Sequence, residues 1–183
     1  MLEMKYKDEF KVIGHAAGKK HFSENITSFF HELDTYLITE EKLEEITHIE
    51  GSSPLGLKLQ DMLLLYKLYQ KYLSDHFAYN GSTYDLLLQE IPKSGIISDS
   101  KIWIDGFNGM TPQEVEIVYA LITHAKEVTI SLTMDTPNAS QNIPVWNRPY
   151  RLFSLLNKKF PNSSQTILSN NYRFKTPDIT EMV

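Results

Sequence analysis

Two aspartates stand where apolar runs stop. In KIWIDGFNGMTPQEVEIVYALITHAKEVTISLTMD, residues 101–135, the run Ile102, Trp103, Ile104 ends at Asp105, and a second run ends at Asp135. A helical pattern lies between them. An aspartate at the carboxyl end of a parallel strand sits where open α/β sheets gather ligands. A carboxylate there can hold a magnesium ion that bridges phosphates. The same residue type also starts turns and caps helices, and the run alone leaves both readings open. A phosphate-transfer site needs in addition a G-x-x-x-x-G-K-S/T loop whose amides cradle the phosphates. None of the eight glycines belongs to such a loop. Gly18–Lys19 in AAGKKHF lacks the first glycine and reads as a helix end.

Other chemistries find less support. The six histidines, His15, His21, His31, His48, His76 and His124, form no metal-binding pair on one helical face. There is no G-x-S-x-G elbow for a serine nucleophile. The absence of cysteine excludes disulfides, thiolate metal sites and cysteine nucleophiles, and fits a cytoplasmic protein. With 42% hydrophobic and 22% charged residues, the 183-residue chain has the composition of a globular protein. No apolar run is long enough to span a bilayer, and MLEMKYKDEF lacks the apolar core of a secretory signal. The net charge of −5 gives no overall basic excess, so any contact with nucleic acid must be local. Lys19–Lys20 and Lys158–Lys159 read as solvated helix ends.

The elements that must position Asp105 change character along the chain. Helical spacing predicts helices over YKDEFKVIGHAAGKKHF, interrupted near Gly14 or ended at Gly18, over SENITSFFHELDTYLI with Ser23 as a cap, and over TEEKLEEITHI behind Thr39. LKLQDMLLLYKLYQKYLSDHFA has a wide apolar face of Leu59, Met62, Leu63, Leu64, Leu65, Tyr66, Tyr69 and Leu73. STYDLLLQEIP is a further helix, capped at Ser82 and stopped by Pro92, and KSGIISDS reads as a linker. From Lys101 the pattern becomes strand, helix, strand, which implies a parallel pair. Both strands read as apolar on both faces, as a covered parallel sheet requires. The helix starts with a capping box, Thr111 to Glu114, and Pro112 at its first position. YRLFSLLNKKF is another helix, and QTILSNNYRF a third short strand. The expected fold is α/β: a helical part over residues 1–95, then a partial parallel sheet over 96–183. Three strands and no phosphate loop suggest a piece of something larger.

The element D-G-F-x-x-x-T-P-Q-E, with GLKLQDMLLLYKLYQKYLSDHF and DLLLQEIPKSGIISDSKIWIDGF upstream, resembles the B subunit of the ATP-dependent helicase/deoxyribonuclease, the AddB or RexB family. The resemblance covers most of the chain and is clearest from Leu57 to Asp135. It implies a long chain with a superfamily 1 helicase-like front half of RecA-like, P-loop type. It also implies a nuclease carrying an iron–sulfur cluster, a partner A subunit, and contact with single- and double-stranded DNA in break repair, with no membrane role. Residues 1–95 would be its inserted helical subdomain (1B-like). Residues 96–183 would be part of the motor domain (1A-like), lacking the phosphate loop, with the cluster cysteines elsewhere. ATP and magnesium would belong to the parent chain.

Asp105 then matches the magnesium-holding aspartate of the D-E-x-x element, and Gly106 replaces the glutamate that activates water. Tyr172 and Arg173 in NNYRF match the N-Y-R-S element, with Phe174 in place of serine. The resemblance implies a degenerate nucleotide site and part of a channel that scans single-stranded DNA for the regulatory sequence Chi. Phe107 is placed to stack on a base or to pack under the following helix. Trp146 is a second stacking candidate or a loop anchor, beside Arg148. A different class of function, a protein-interaction domain using the apolar helix 57–77, stays open. A stand-alone phosphate-transfer enzyme is hard to sustain without a phosphate loop.

Overall fold

The computed structural model describes residues 5–76, 83–134 and 144–168. The expected cap Ser82, the second aspartate Asp135, and Tyr172 and Arg173 lie outside the described residues. Helix α1 spans Phe22–Thr35, α2 Glu40–Glu50, α3 Pro54–His76, α4 Thr83–Glu90 and α5 Gly95–Ser98. Strand β1 (Lys101–Ile104), helix α6 (Pro112–His124), strand β2 (Glu127–Ile130) and helix α7 (Asn147–Lys159) follow. Among the described residues no helix is long and apolar enough to cross a membrane.

The first predicted helix does not form. Residues 7–16 make two short 3-10 turns instead, Lys7–Glu9 and Ile13–Ala16. The reason lies in α3. Asp61 is 2% exposed, and its carboxylate accepts from the backbone N–H groups of Lys11 (2.8 Å), Val12 (2.6 Å) and Ile13 (3.0 Å). In a continuous helix those amides would bond to carbonyls one turn back. A buried carboxylate with three amide donors is a stronger acceptor than the carbonyls it replaces. The segment is pinned with Phe10 and Ile13 inside the core.

That core gathers Ile26, Phe30 and Leu33 of α1, Leu43 of α2, and Leu65 and Tyr66 of α3. Phe30 packs edge-on to Tyr66 (5.1 Å between centroids) and stacks on Tyr69 (5.0 Å). The wide apolar face of α3 is therefore largely used inside the chain: Leu59, Met62, Leu63, Leu64 and Tyr69 all pack against the same cluster. Helix α1 starts at Phe22, one residue before the expected Ser23 cap, behind His21 in the left-handed region (φ 64°). It ends in a Schellman turn, with Ile38 N–H on Leu33 O and Leu37 N–H on Asp34 O. Leu37 takes the left-handed position usually given to glycine (φ 53°), so its side chain leaves the apolar stripe and is exposed.

Thr39 caps α2 as expected, accepting from Lys42 N–H. Helices α2 and α3 then pack as an antiparallel pair through a short turn. Ser53 Oγ accepts from Gly56 N–H (2.9 Å), and Gln60 donates to Gly51 O (3.1 Å). Gly56 lies so close to this turn that a Cβ there would fall 2.3 Å from Gly51 O. The stretch read as a linker, residues 93–100, carries the single turn α5, which Ser94 caps by accepting from Ile97 N–H, just after the buried Ile91.

Strands β1 and β2 pair in parallel. Lys126 N–H donates to Ser100 O, and Ser131 N–H to Ile104 O, so both partners advance together. The capping box of α6 forms as read: Thr111 N–H donates to Glu114 Oε2 (2.7 Å) and Glu114 N–H to Thr111 Oγ1 (3.3 Å). The strands are not apolar on both faces. Ile102, Ile104, Val128 and Ile130 are half-buried, whereas Lys101, Trp103, Glu127 and Thr129 face outward. Lys101 and Glu127 pair across that open face at 2.5 Å, and Trp103 is 68% exposed. Residues 165–168 of the expected third strand form no strand. The sheet has two strands among the described residues.

Compactness divides the chain within this sheet. One unit holds Met1–Trp103 with Met110–Thr129, and the other Ile104–Gly109 with Ile130–Val183. Helix α6 thus joins the larger unit, where it packs against α4 and the Ile91–Lys93 turn.

Replacing Asp61 by Ala leaves three amide donors without their acceptor. The expected loss is at least about 3 kcal/mol of unfolding free energy, with Asp61→Asn intermediate. Urea unfolding of the two variants checks this; a midpoint within error of the parent would show that the N-terminal turns do not need the carboxylate.

Asp34, at the end of α1, supplies a pH test. Burial, and next the Asp85 carboxylate, hold its carboxyl above the ordinary value of 3.8, against the opposing pull of His31 and a hydrogen bond from Tyr66. The folded chain therefore holds this proton more tightly than the unfolded chain. The contribution to stability is full below pH 3.8 and is lost as pH rises through the raised value. Asp34→Asn should raise the melting temperature at pH 7 and flatten the melting profile over that window. An unchanged profile would rule the effect out.

Candidate functional site

The carboxyl end of β1 carries the candidate site, and its residues are contiguous: Asp105, Gly106 and Phe107 leave the strand and turn toward Gly109. The Asp105 carboxylate accepts a hydrogen bond from the Ser131 hydroxyl just beyond β2, beside the backbone bond from Ser131 N–H to Ile104 O (3.0 Å). The aspartate thus ties the two strand ends together. Periodicity marked Asp105 but not Ser131. Both residues lie one position past the end of their strands, which the sequence did not show for Ser131 because the apolar pattern runs on to Asp135.

Gly106 has φ +82°, and a Cβ there would meet nothing within 4 Å. The glycine serves backbone conformation, not space. Phe107 is 43% exposed. Glu114 is taken by its capping box. Three residues later than Gly106, Gly109 serves space: its missing Cβ would lie 3.3 Å from Arg148 Cβ, in the first turn of α7. The loop after β1 and the start of α7 therefore touch at Gly109, and the candidates Phe107 and Arg148 both belong to the smaller unit. Trp146, the residue that precedes α7, is half-buried.

Asp105 offers one carboxylate. Among the described residues no three His, Cys, Asp or Glu side chains gather as metal ligands. Magnesium in phosphate-transfer sites uses one or two carboxylates and takes its other ligands from phosphates and water. Asp105 fits such a role only with a bound phosphate beside it. An iron–sulfur cluster finds no ligands here, because the chain has no cysteine.

Comparison with known proteins decides the family. The family model described as "ADDB, N-terminal" matches residues 2–182. The chain belongs to the AddB N-terminal family. It is 33% identical over 142 residues to the B subunit of the ATP-dependent helicase/deoxyribonuclease of Bacillus velezensis, covering 74% of this chain and 12% of that protein. It is 27% identical over 175 residues to the B subunit from Lachnoclostridium phytofermentans, covering 95% of this chain and 15% of that protein. The Bacillus subtilis relative of the same name is 31% identical over 139 residues, with 73% and 12% covered. The chain thus spans a small part of the length of these AddB relatives.

In this AddB-family chain the left-handed Gly106 gives a direct test of the loop. Gly106→Ala should cost about 1 kcal/mol, all of it from the backbone, because the space for a methyl group is open. Denaturant unfolding reads this; a variant as stable as the parent would show that the loop relaxes without cost.

Proposed function

We propose that this chain is part of the helicase-like front half of a helicase–nuclease B subunit that acts in processing double-strand DNA ends. In this reading the helical unit is scaffold, and β1, α6 and β2 belong to a RecA-like sheet whose other strands lie elsewhere in a longer polypeptide. The residues after β1 are the remnant of a nucleotide site and part of a single-stranded DNA channel. An A subunit supplies the working motor. Family membership supports the setting, and the relatives' names supply the reaction class.

The observation that carries the reading is the conformation of Gly106. Where an active motor of this type has a water-activating glutamate, this chain has no side chain, and its backbone takes a left-handed conformation that a glutamate adopts only with strain. In-line attack on a terminal phosphate then lacks a group to orient water. One Asp105 oxygen is also engaged by Ser131. What remains is a carboxylate able to face a nucleotide-bound magnesium ion without turning the nucleotide over. Phe107 beside it offers a ring face to a base, a contact worth about 1–3 kcal/mol.

The purified chain should show no magnesium-dependent ATP turnover, and Gly106→Glu should not create it. Robust turnover that Asp105→Ala abolishes would overturn the degenerate site. In fluorescence anisotropy with a labelled oligo-dT, Phe107→Ala should weaken binding by about 1–3 kcal/mol; equal affinity would remove Phe107 from the DNA contact.

A further inference from the structure

We infer that the exposed face of α7 is a track for the phosphate backbone of a DNA strand, joined at its start to the Phe107 loop through Gly109. The inference rests on the reading that the smaller unit handles DNA, and it adds a site outside the residues after β1.

Charge is the first observation. Helix α7, NRPYRLFSLLNKK, holds Arg148, Arg151, Lys158 and Lys159 and no acidic residue, in a chain whose net charge is −5. Among the described residues the smaller unit has these four cations against one acid, Asp105, whereas the larger has twelve against eighteen. The excess sits on one element and not across the molecule.

Geometry is the second. Pro149 and Leu152 are buried, with Phe153 and Leu156 half-buried beside them, so they fix the inner side of α7. At 3.6 residues per turn, Arg148, Arg151 and Lys158 then fall within an arc of roughly 80° turned away from that side, with Lys159 at the border beside Leu152, and Arg148 to Lys158 spans roughly 15 Å. Arg148, Arg151 and Lys158 are exposed, and none has an acidic partner among the described residues. Arg148 is also in the first turn, where the helix dipole disfavours a cation. An anion would compensate these three charges.

A row of cations along a helix matches a ligand with a row of anions. A nucleic-acid backbone meets that need without any demand on sequence, and each neutralised phosphate shows as salt dependence. Gly109 connects the track to the base-contacting loop. With a methyl group at 109 the nearest atom to yield is Arg148 Cβ, at 3.3 Å, which moves only with the helix. Gly109 is thus a positioning residue: it lets α7 lie close enough for one strand to reach Phe107 and Arg148 together.

The test is the salt dependence of anisotropy with oligo-dT and with an abasic strand of the same length, on the whole chain. The triple variant Arg148→Ala, Arg151→Ala, Lys158→Ala should lower the slope of log affinity against log salt by about 2, and weaken binding to both strands. Neutralising Lys58 and Lys71 of α3 should change neither. Gly109→Ala should weaken oligo-dT binding, and adding Arg148→Ala to it should cause less further loss than in the parent. An unchanged slope in the triple variant overturns the track, and if Phe107→Ala still weakens oligo-dT, the loop reading stands without it. Binding of phosphatidylserine vesicles but not of oligonucleotides would assign the face to a membrane and overturn the proposal. No binding to either strand at low salt would overturn the track and the DNA reading together.

Discussion

One buried carboxylate organises the larger unit. Among the described residues Asp61 has no ion-pair partner; its carboxylate is met by the amides of Lys11, Val12 and Ile13. A carboxylate removed from water must be fully hydrogen-bonded to be tolerated, and these donors come from chain about 50 residues away. The requirement runs both ways. The amides cannot join a helix while they serve Asp61, and Asp61 cannot sit inside α3 without them. Phe10 and Ile13, carried in by the same segment, close the core over α1 and α3. No buried side-chain nitrogen or oxygen among the described residues lacks a partner.

Around that anchor, close approaches fix the helices. Gly56 lets α3 start directly against the end of α2, where any side chain would strike a backbone carbonyl. The Schellman turn at Leu37 stops α1 and sends the chain into α2, at the cost of a leucine in a left-handed conformation. The aromatic group Phe30, Tyr66 and Tyr69 then fills the space between α1 and α3. These features explain why the wide apolar face of α3 serves as interior. A long helix between two helices and an N-terminal segment needs apolar residues on more than one side.

At the strand ends the same kinds of interaction act on a smaller scale. The Asp105–Ser131 bond holds the ends of β1 and β2 together, and the left-handed Gly106 turns the chain away directly afterwards. A residue type suited to magnesium thus also has a structural task here. Gly109 then brings the loop onto α7, whose cations stand out in a chain that is acidic as a whole. The open face of the sheet, with exposed Trp103 and the Lys101–Glu127 pair, is uncovered among the described elements, which is unusual for parallel strands.

What the sequence by itself determined was local. Thr111, Pro112 and Glu114 specify a helix start through contacts three residues apart, and the capping box is there. Thr39 caps α2 for the same reason. The apolar stripes of α1 and α3, the parallel strand–helix–strand unit and the glycine after Asp105 were legible, and so was the family, through the D-G-F and T-P-Q-E elements. Tertiary structure decided the rest. Helical periodicity in residues 6–22 gave way because a distant carboxylate claims their amides. Residues 93–100, read as a linker, instead carry a helical turn that packs beside α6. Neither the Ser131 partner of Asp105 nor the meeting of Gly109 with Arg148 has a signature in spacing, since each joins residues more than 25 positions apart. The segregation of charge, invisible in a net value of −5, depends on which segments pack together. Spacing encodes neighbours one turn away; which distant groups satisfy a buried charge or share a surface is settled only when the chain has closed on itself.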